Sequence, residues 1–151
     1  MSQQAISVLD LPLQASGAVQ EYRCVGFNGA QATVAGQKIH GVARRGAANG
    51  QWFESTVLGT AVAEAGGAFG AGVALVTDAN GRVIAATALG ATVGTLAVAA
   101  GATAVTSAVA NGAGSVTGTP ALAGSDLPQH IIGFSLQAAT GAGDFVEILV
   151  R

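Results

Sequence analysis

The chain has 151 residues and only 9% of them are charged, eight acids against six bases, where typical soluble proteins carry about 25%. That length supports one domain with a real core, and a net charge of −2 excludes a general nucleic-acid binder, which would show a basic stripe. An isolated domain keeps itself soluble with surface charge, so part of this sparsely charged exterior is expected to be covered by partners.

Half of the chain is hydrophobic, yet 33 of those positions are Ala. The bulky core formers are therefore mainly Val, Leu and Ile, helped by five Phe. Gly at 23 positions weakens long helices and suits turns and close backbone contacts. Together these point to a single mainly β domain over 1–151, a small β-barrel or sandwich built from hairpins with long Gly/Ala-rich loops.

The opening MSQQAISVLDLPLQ has neither a basic nor an apolar leader region, so no secretion signal is read. Residues 1–19 read as an extended N-terminal arm. Within it Leu9, Leu11 and Leu13 alternate with Asp10, Pro12 and Gln14, giving one apolar face. Pro12 confines the arm to a sheet edge or the surface. Cys24 is the only cysteine; it has no partner for an internal disulfide and reads as a small buried hydrophobe.

All four Asn residues precede Gly, at 28, 49, 80 and 111. Asn-Gly suits a type I′ turn, so each pair predicts a hairpin. The last three pairs are spaced 31 residues apart, and one more step lands on Ala142-Gly143. Residues 20–27 and 30–35 flank the first turn, and Val73 to Thr77 with Arg82 to Thr87 flank the third. Between them TAVAEAG, Thr60 to Gly66, predicts one helical turn stopped by Gly66-Gly67. Arg44-Arg45 reads as a solvated strand end.

IHGVARRGAANGQWFESTV, starting at Ile39, has an echo in IIGFSLQAATGAGDFVEILV, starting at Ile131. Gln37, Ile39, Gly41 and Val42 match Gln129, Ile131, Gly133 and Phe134. After a one-residue adjustment Gly50, Trp52, Glu54 and Val57 match Gly143, Phe145, Glu147 and Val150. Each copy predicts strand, turn and strand, with an aromatic and an acid on one face. Val83 to Ser125 is 43 residues without a charge, but Thr, Gly, Ala and Ser with three Leu do not make a membrane span. Residues 89–125 read as a low-complexity insertion with weak strands such as Thr95 to Ala99.

Catalytic chemistry is not legible. GGAFGAG, Gly66 to Gly72, lacks the glycine order and the Lys-Ser/Thr pair of a phosphate loop, and reads as a bend. His40, His130 and Cys24 have no paired metal-ligand spacing, leaving coordination on an oligomer axis as the one metal route. No nucleophile elbow exists, and the repeat-equivalent Glu54 and Glu147 suit pairing with Arg or solvent better than acid–base work. Hence no catalytic, cofactor-binding or metal residue is assigned.

The order of elements resembles the capsid cement, or head decoration, proteins of tailed bacteriophages. The likeness runs through SVLDLPLQASGAVQEYRCVGF, AGQKIHGVA, GTAVAEAGGAFGAGVALVTDANGRVI and the closing IIGFSLQAATGAGDFVEILVR. The resemblance implies a non-enzymatic homotrimer on the outer surface of the virion capsid, made in the host cytoplasm and bound to the major capsid protein. It implies no cofactor, no direct nucleic acid and no membrane. The leucines Leu9, Leu11 and Leu13 are then the expected capsid or subunit contact. Two other readings fit the residues: another virion part, such as a tail or baseplate β-domain, and a small ligand-binding or hydrolytic β-barrel using dispersed acids.

Overall fold

In a computed structural model, residues 5–87, 92–93, 122–123 and 129–151 are described. The fold is mainly β, a nearly closed antiparallel sheet. Its strands are β1 (Ser7–Gln14), β2 (Cys24–Val25), β3 (Gly41–Ala43), β4 (Trp52–Glu64), β5 (Ala74–Thr77), β6 (Val83–Ala85), β9 (Gly133–Ser135) and β10 (Phe145–Val150). They pair in the order β2-β3-β4-β10-β9-β5-β6, with β1 added on β4. Leu89–Asp126 forms a separate compact unit, in which β7 (Thr92–Val93) pairs antiparallel with β8 (Leu122–Ala123). The segment proposed as a strand at Thr95 to Ala99 and the turn at Asn111-Gly112 lie outside the described residues.

The echo seen in the sequence is one register repeated. In the first hairpin Val42 pairs with Thr56 and Ala43 with Ser55; in the second Phe134 pairs with Leu149 and Ser135 with Ile148. The repeat also extends beyond the hairpins. Gln14 to Val25 and Glu64 to Leu75 take the same path: Val19 bridges Ala47 as Phe69 bridges Ala139. Tyr22 N donates to the Ala43 carbonyl (2.9 Å), and Gly72 N donates to that of Ser135 (2.7 Å). Strand β4 serves both halves. Its start pairs with β1, Gln14 opposite Trp52, and its end pairs with β10, Glu64 opposite Phe145.

This sharing overturns the helical turn expected at Thr60 to Gly66. Ala61, Ala63 and Ala65 are buried and alternate with Thr60, Val62 and Glu64, a period of two rather than 3.6. Pairing with β10 satisfies backbone groups that a single isolated helical turn would leave mostly open. Among the described residues no helix occurs.

The Asn-Gly pairs do mark tight turns, but not the expected type I′. In each described pair only the glycine has positive φ: Gly29 at 77°, Gly50 at 82° and Gly81 at 74°. At Asn80, Gly81 N donates to Asp78 O (3.3 Å) and Asp78 N to Arg82 O (2.8 Å). This is a type I turn closed by a glycine bulge. The Asp78 carboxylate accepts the Asn80 and Arg82 N–H groups at 2.7 and 2.8 Å, so the turn needs no second left-handed residue. The turn at Asn28 repeats the pattern, Gly29 N on Gly26 O (3.1 Å) and Gly26 N on Ala30 O (2.9 Å).

The core follows the repeat. One cluster gathers Ala15, Val19, Val25, Ala43, Ala47 and Phe53. Their repeat partners Ala65, Phe69, Leu75, Ala139 and Val146 belong to the larger cluster with Ile148, Val150 and Cys24. Each half thus holds one Phe and one Val at the two matching positions, but in opposite order. Val19 and Phe53 become Phe69 and Val146, which conserves volume in a close-packed interior.

Candidate functional site

Strand β1 lies against β4 with a break in register. Ser7 is opposite Gly59, Leu9 opposite Leu58, and Asp10 through Gln14 opposite Thr56 through Trp52. The shift splits the three leucines. Leu11 and Leu13 stand opposite Ser55 and Phe53 on the inward face, where Leu13 packs on the smaller core cluster. Leu9 stands on the outward face beside Leu58, and the two are 45% and 43% exposed. The single apolar face expected from strict alternation is therefore divided, because a bulge places successive residues on one side.

Outward-facing Leu149 of β10 pairs with Thr60 of β4 and with Phe134 of β9. Leu9, Leu58, Leu149 and Phe134 thus run across four adjoining strands of one sheet face. Ile6 and Val8, just before Leu9 along the chain, are also well exposed. The Arg151 guanidinium closes the row at its Phe134 end, stacked 4.3 Å from the Phe134 ring centroid. Charge is kept to the margins. Arg44 pairs with Asp10 at 2.6 Å and Arg45 with Glu54 at 2.8 Å. Burial would raise the Asp10 pKa, but hydrogen bonds from Ser7, Thr56 and Arg44 together bring it below the usual carboxylate value.

A second feature is a cleft of about 310 Å³. Repeat-equivalent residues from both copies line it: Lys38 with His130, Ile39 with Ile131, and Val57 with Val150. His40 and Arg151 complete its polar lining. Sequence spacing separates the two histidines, and the only signal of their meeting was their place in related slots of the repeat. His40 Nδ1 lies 2.7 Å from Ser55 Oγ, while Ser55 Oγ reaches the Leu11 carbonyl only at 3.4 Å. The hydroxyl proton is thus best assigned to Nδ1, leaving Nε2 as the N–H donor. Burial lowers the His40 pKa and keeps the ring neutral near pH 7.

Among the described residues no group of three His, Cys, Asp or Glu is placed to hold a metal ion. Glu54 is engaged by Arg45, the structural use its repeat position suggested. Cys24 is buried, and desolvation pushes its thiol pKa up to about 12, so it is no nucleophile near neutrality.

Contiguous exposed apolar side chains on a sheet face are the mark of an interaction surface. The chain belongs to the phage cement proteins: the model of that family matches residues 2–111. Its role is structural, as a component of the virion that decorates and stabilises the capsid. No curated protein matches it in sequence. Among solved structures it is similar to the N base of the head fiber gp8.5 of bacteriophage phi29. The TM-score is 0.57 at 13% identity, over 95% of this chain and 93% of that chain, a likeness of fold alone.

Proposed function

We propose that the protein acts without catalysis, as a homotrimer on the outer surface of the assembled head, bracing major capsid subunits. The observation that carries this reading is the apolar stripe running from Leu9 through Leu58 to Leu149, with exposed Ile6 and Val8 next to Leu9 in the chain. Few charges surround it, so little polar solvation is lost when it is covered. Leu9 makes the shell contact in this reading; Leu11, on the other face of β1 but still 38% exposed, is left to meet a neighbouring copy. Leu13 instead fixes β1 to the core. Weak contacts of this kind gain strength when three linked copies engage a repeating shell. The chain is made in the host cytoplasm and joins the particle there.

Co-sedimentation with purified DNA-free heads tests the reading, with light scattering to count subunits. Wild type is expected to pellet with heads and to scatter as a trimer, and Leu9→Asp to lose at least tenfold in affinity while remaining folded. Binding to isolated tails instead of heads would overturn the placement. Antibodies raised against the purified protein are expected to bind intact decorated heads. Decorated heads that bind none would place it inside the shell.

A further inference from the structure

The six cationic side chains of the chain divide sharply. Arg23, Arg44, Arg45 and Arg82 are each held by a carboxylate, from Glu64, Asp10, Glu54 and Asp78 respectively. Lys38 and Arg151 have no carboxylate partner among the described residues, and both line the one cleft described above. His40 and His130 line it too, and among the described residues no Asp or Glu side chain does. In a chain of net charge −2, the two cationic side chains left without a carboxylate among the described residues thus share a single concavity. Stacking on Phe134 fixes the Arg151 guanidinium by its flat face, which leaves its edge N–H groups for an in-plane acceptor. The apolar rim is also unusual: Phe27 is 68% and Ile131 54% exposed. Phe27 meets His40 edge to face at 5.5 Å.

We propose that this cleft receives a carboxylate-bearing segment of the shell subunit, an acidic side chain flanked by apolar ones; the identity of the shell as its source rests on the cement reading above. The carboxylate sits between Lys38 and Arg151, with His40 and His130 as further donors, and its apolar neighbours cover Phe27 and Ile131. A nucleic acid does not fit this pattern. Duplex binders neutralise many phosphates along a track, about six to ten in strongly salt-dependent cases, whereas two fixed cations in a cavity of about 310 Å³ address one or two acidic groups. The charges steer and orient the partner, and the apolar rim supplies buried area.

The test has two arms on the full chain. In the first, a blocked tetraglutamate peptide is titrated into the protein while backbone amide shifts are followed. Shifts confined to residues 38–41, 130–132 and 151 are expected. Lys38→Glu should abolish them, whereas Arg45→Glu, the same charge change outside the cleft, should leave them. Shifts spread over the surface, equal loss in both variants, or tighter binding of a DNA duplex of equal charge would overturn the acidic-peptide assignment. In the second arm, Lys38→Glu should weaken co-sedimentation with heads at least tenfold and Arg45→Glu should not. Heads that bind both variants like wild type overturn the cleft as a shell dock. Heads that ignore the wild type sink the cement placement instead, and the peptide arm still decides what the cleft binds.

Discussion

Gly41 and Gly133 occupy one place in two copies of a hairpin: a Cβ on either would overlap the carbonyl oxygen of the facing strand, that of Thr56 or of Leu149. Both glycines are buried, so the facing backbone has no room to retreat. The repeat is thus enforced at the level of backbone approach and not only by side-chain pattern.

Alanine at Gly41 or Gly133 is therefore expected to destabilise the protein by about 3 kcal/mol, the upper end of overpacking costs. Gly67→Ala, where a Cβ meets nothing within 4 Å, should change little. Urea midpoints at constant m-value measure the difference. Equal midpoints for Gly41→Ala and Gly67→Ala would refute the close approach.

The opposite order of Val19–Phe53 and Phe69–Val146 makes a second test. Truncating Phe53 to Ala should cost about 3–5 kcal/mol, as for other buried aromatics. The swap Val19→Phe with Phe53→Val imitates the second half, and should be more stable than Phe53→Val alone. A double-mutant cycle reads the coupling; a coupling near zero would mean that the two positions do not share volume.

Among the described residues Tyr22 is the one non-glycine with positive φ, 63°, and its repeat partner Gly72 has φ 77°. The tyrosine accepts this backbone cost while its ring meets Phe145 edge to face at 5.4 Å. Tyr22→Ala loses the ring and keeps the strain, whereas Tyr22→Gly loses both. The glycine variant is expected to be the more stable of the two by about 1 kcal/mol, measured by thermal unfolding. At Gly72 nothing stands within 4 Å of a Cβ, so Gly72→Ala should cost about 1 kcal/mol through conformation alone.

Cys24 gives a pH signature. Its folded pKa, raised by burial to about 12, lies above the roughly 8.5 of an unfolded thiol. The folded state then holds a proton that the unfolded state releases. This contribution to stability is complete below about pH 8.5 and declines as pH rises toward 12. A disulfide reagent at pH 8 should leave the native thiol intact and react at once in denaturant. Rapid labelling of the native protein would contradict its burial.

Local features carried much of this protein in its sequence. The β class, the two hairpins, their matched register and the shared faces of Trp52 with Glu54 and Phe145 with Glu147 all follow from alternation and turn chemistry, which act over a few residues. The tight turns at Asn28, Asn49 and Asn80 were legible as well, although hydrogen bonds from neighbouring groups, such as those to the Asp78 carboxylate, decided their geometry.

Long-range pairing decided the rest. TAVAEAG is a strand because β10 pairs with it, and alanine's preference for helix yields to that partner. A register break, absent from any alternating pattern, turned Leu9 outward and Leu11 and Leu13 inward. Lys38, His40, His130 and Arg151 share a cleft only because the closing sheet brings two distant copies of one segment together. Periodicity is a property of neighbours along the chain, whereas a site is a meeting of residues far apart in it, and that meeting is fixed by which strands pair.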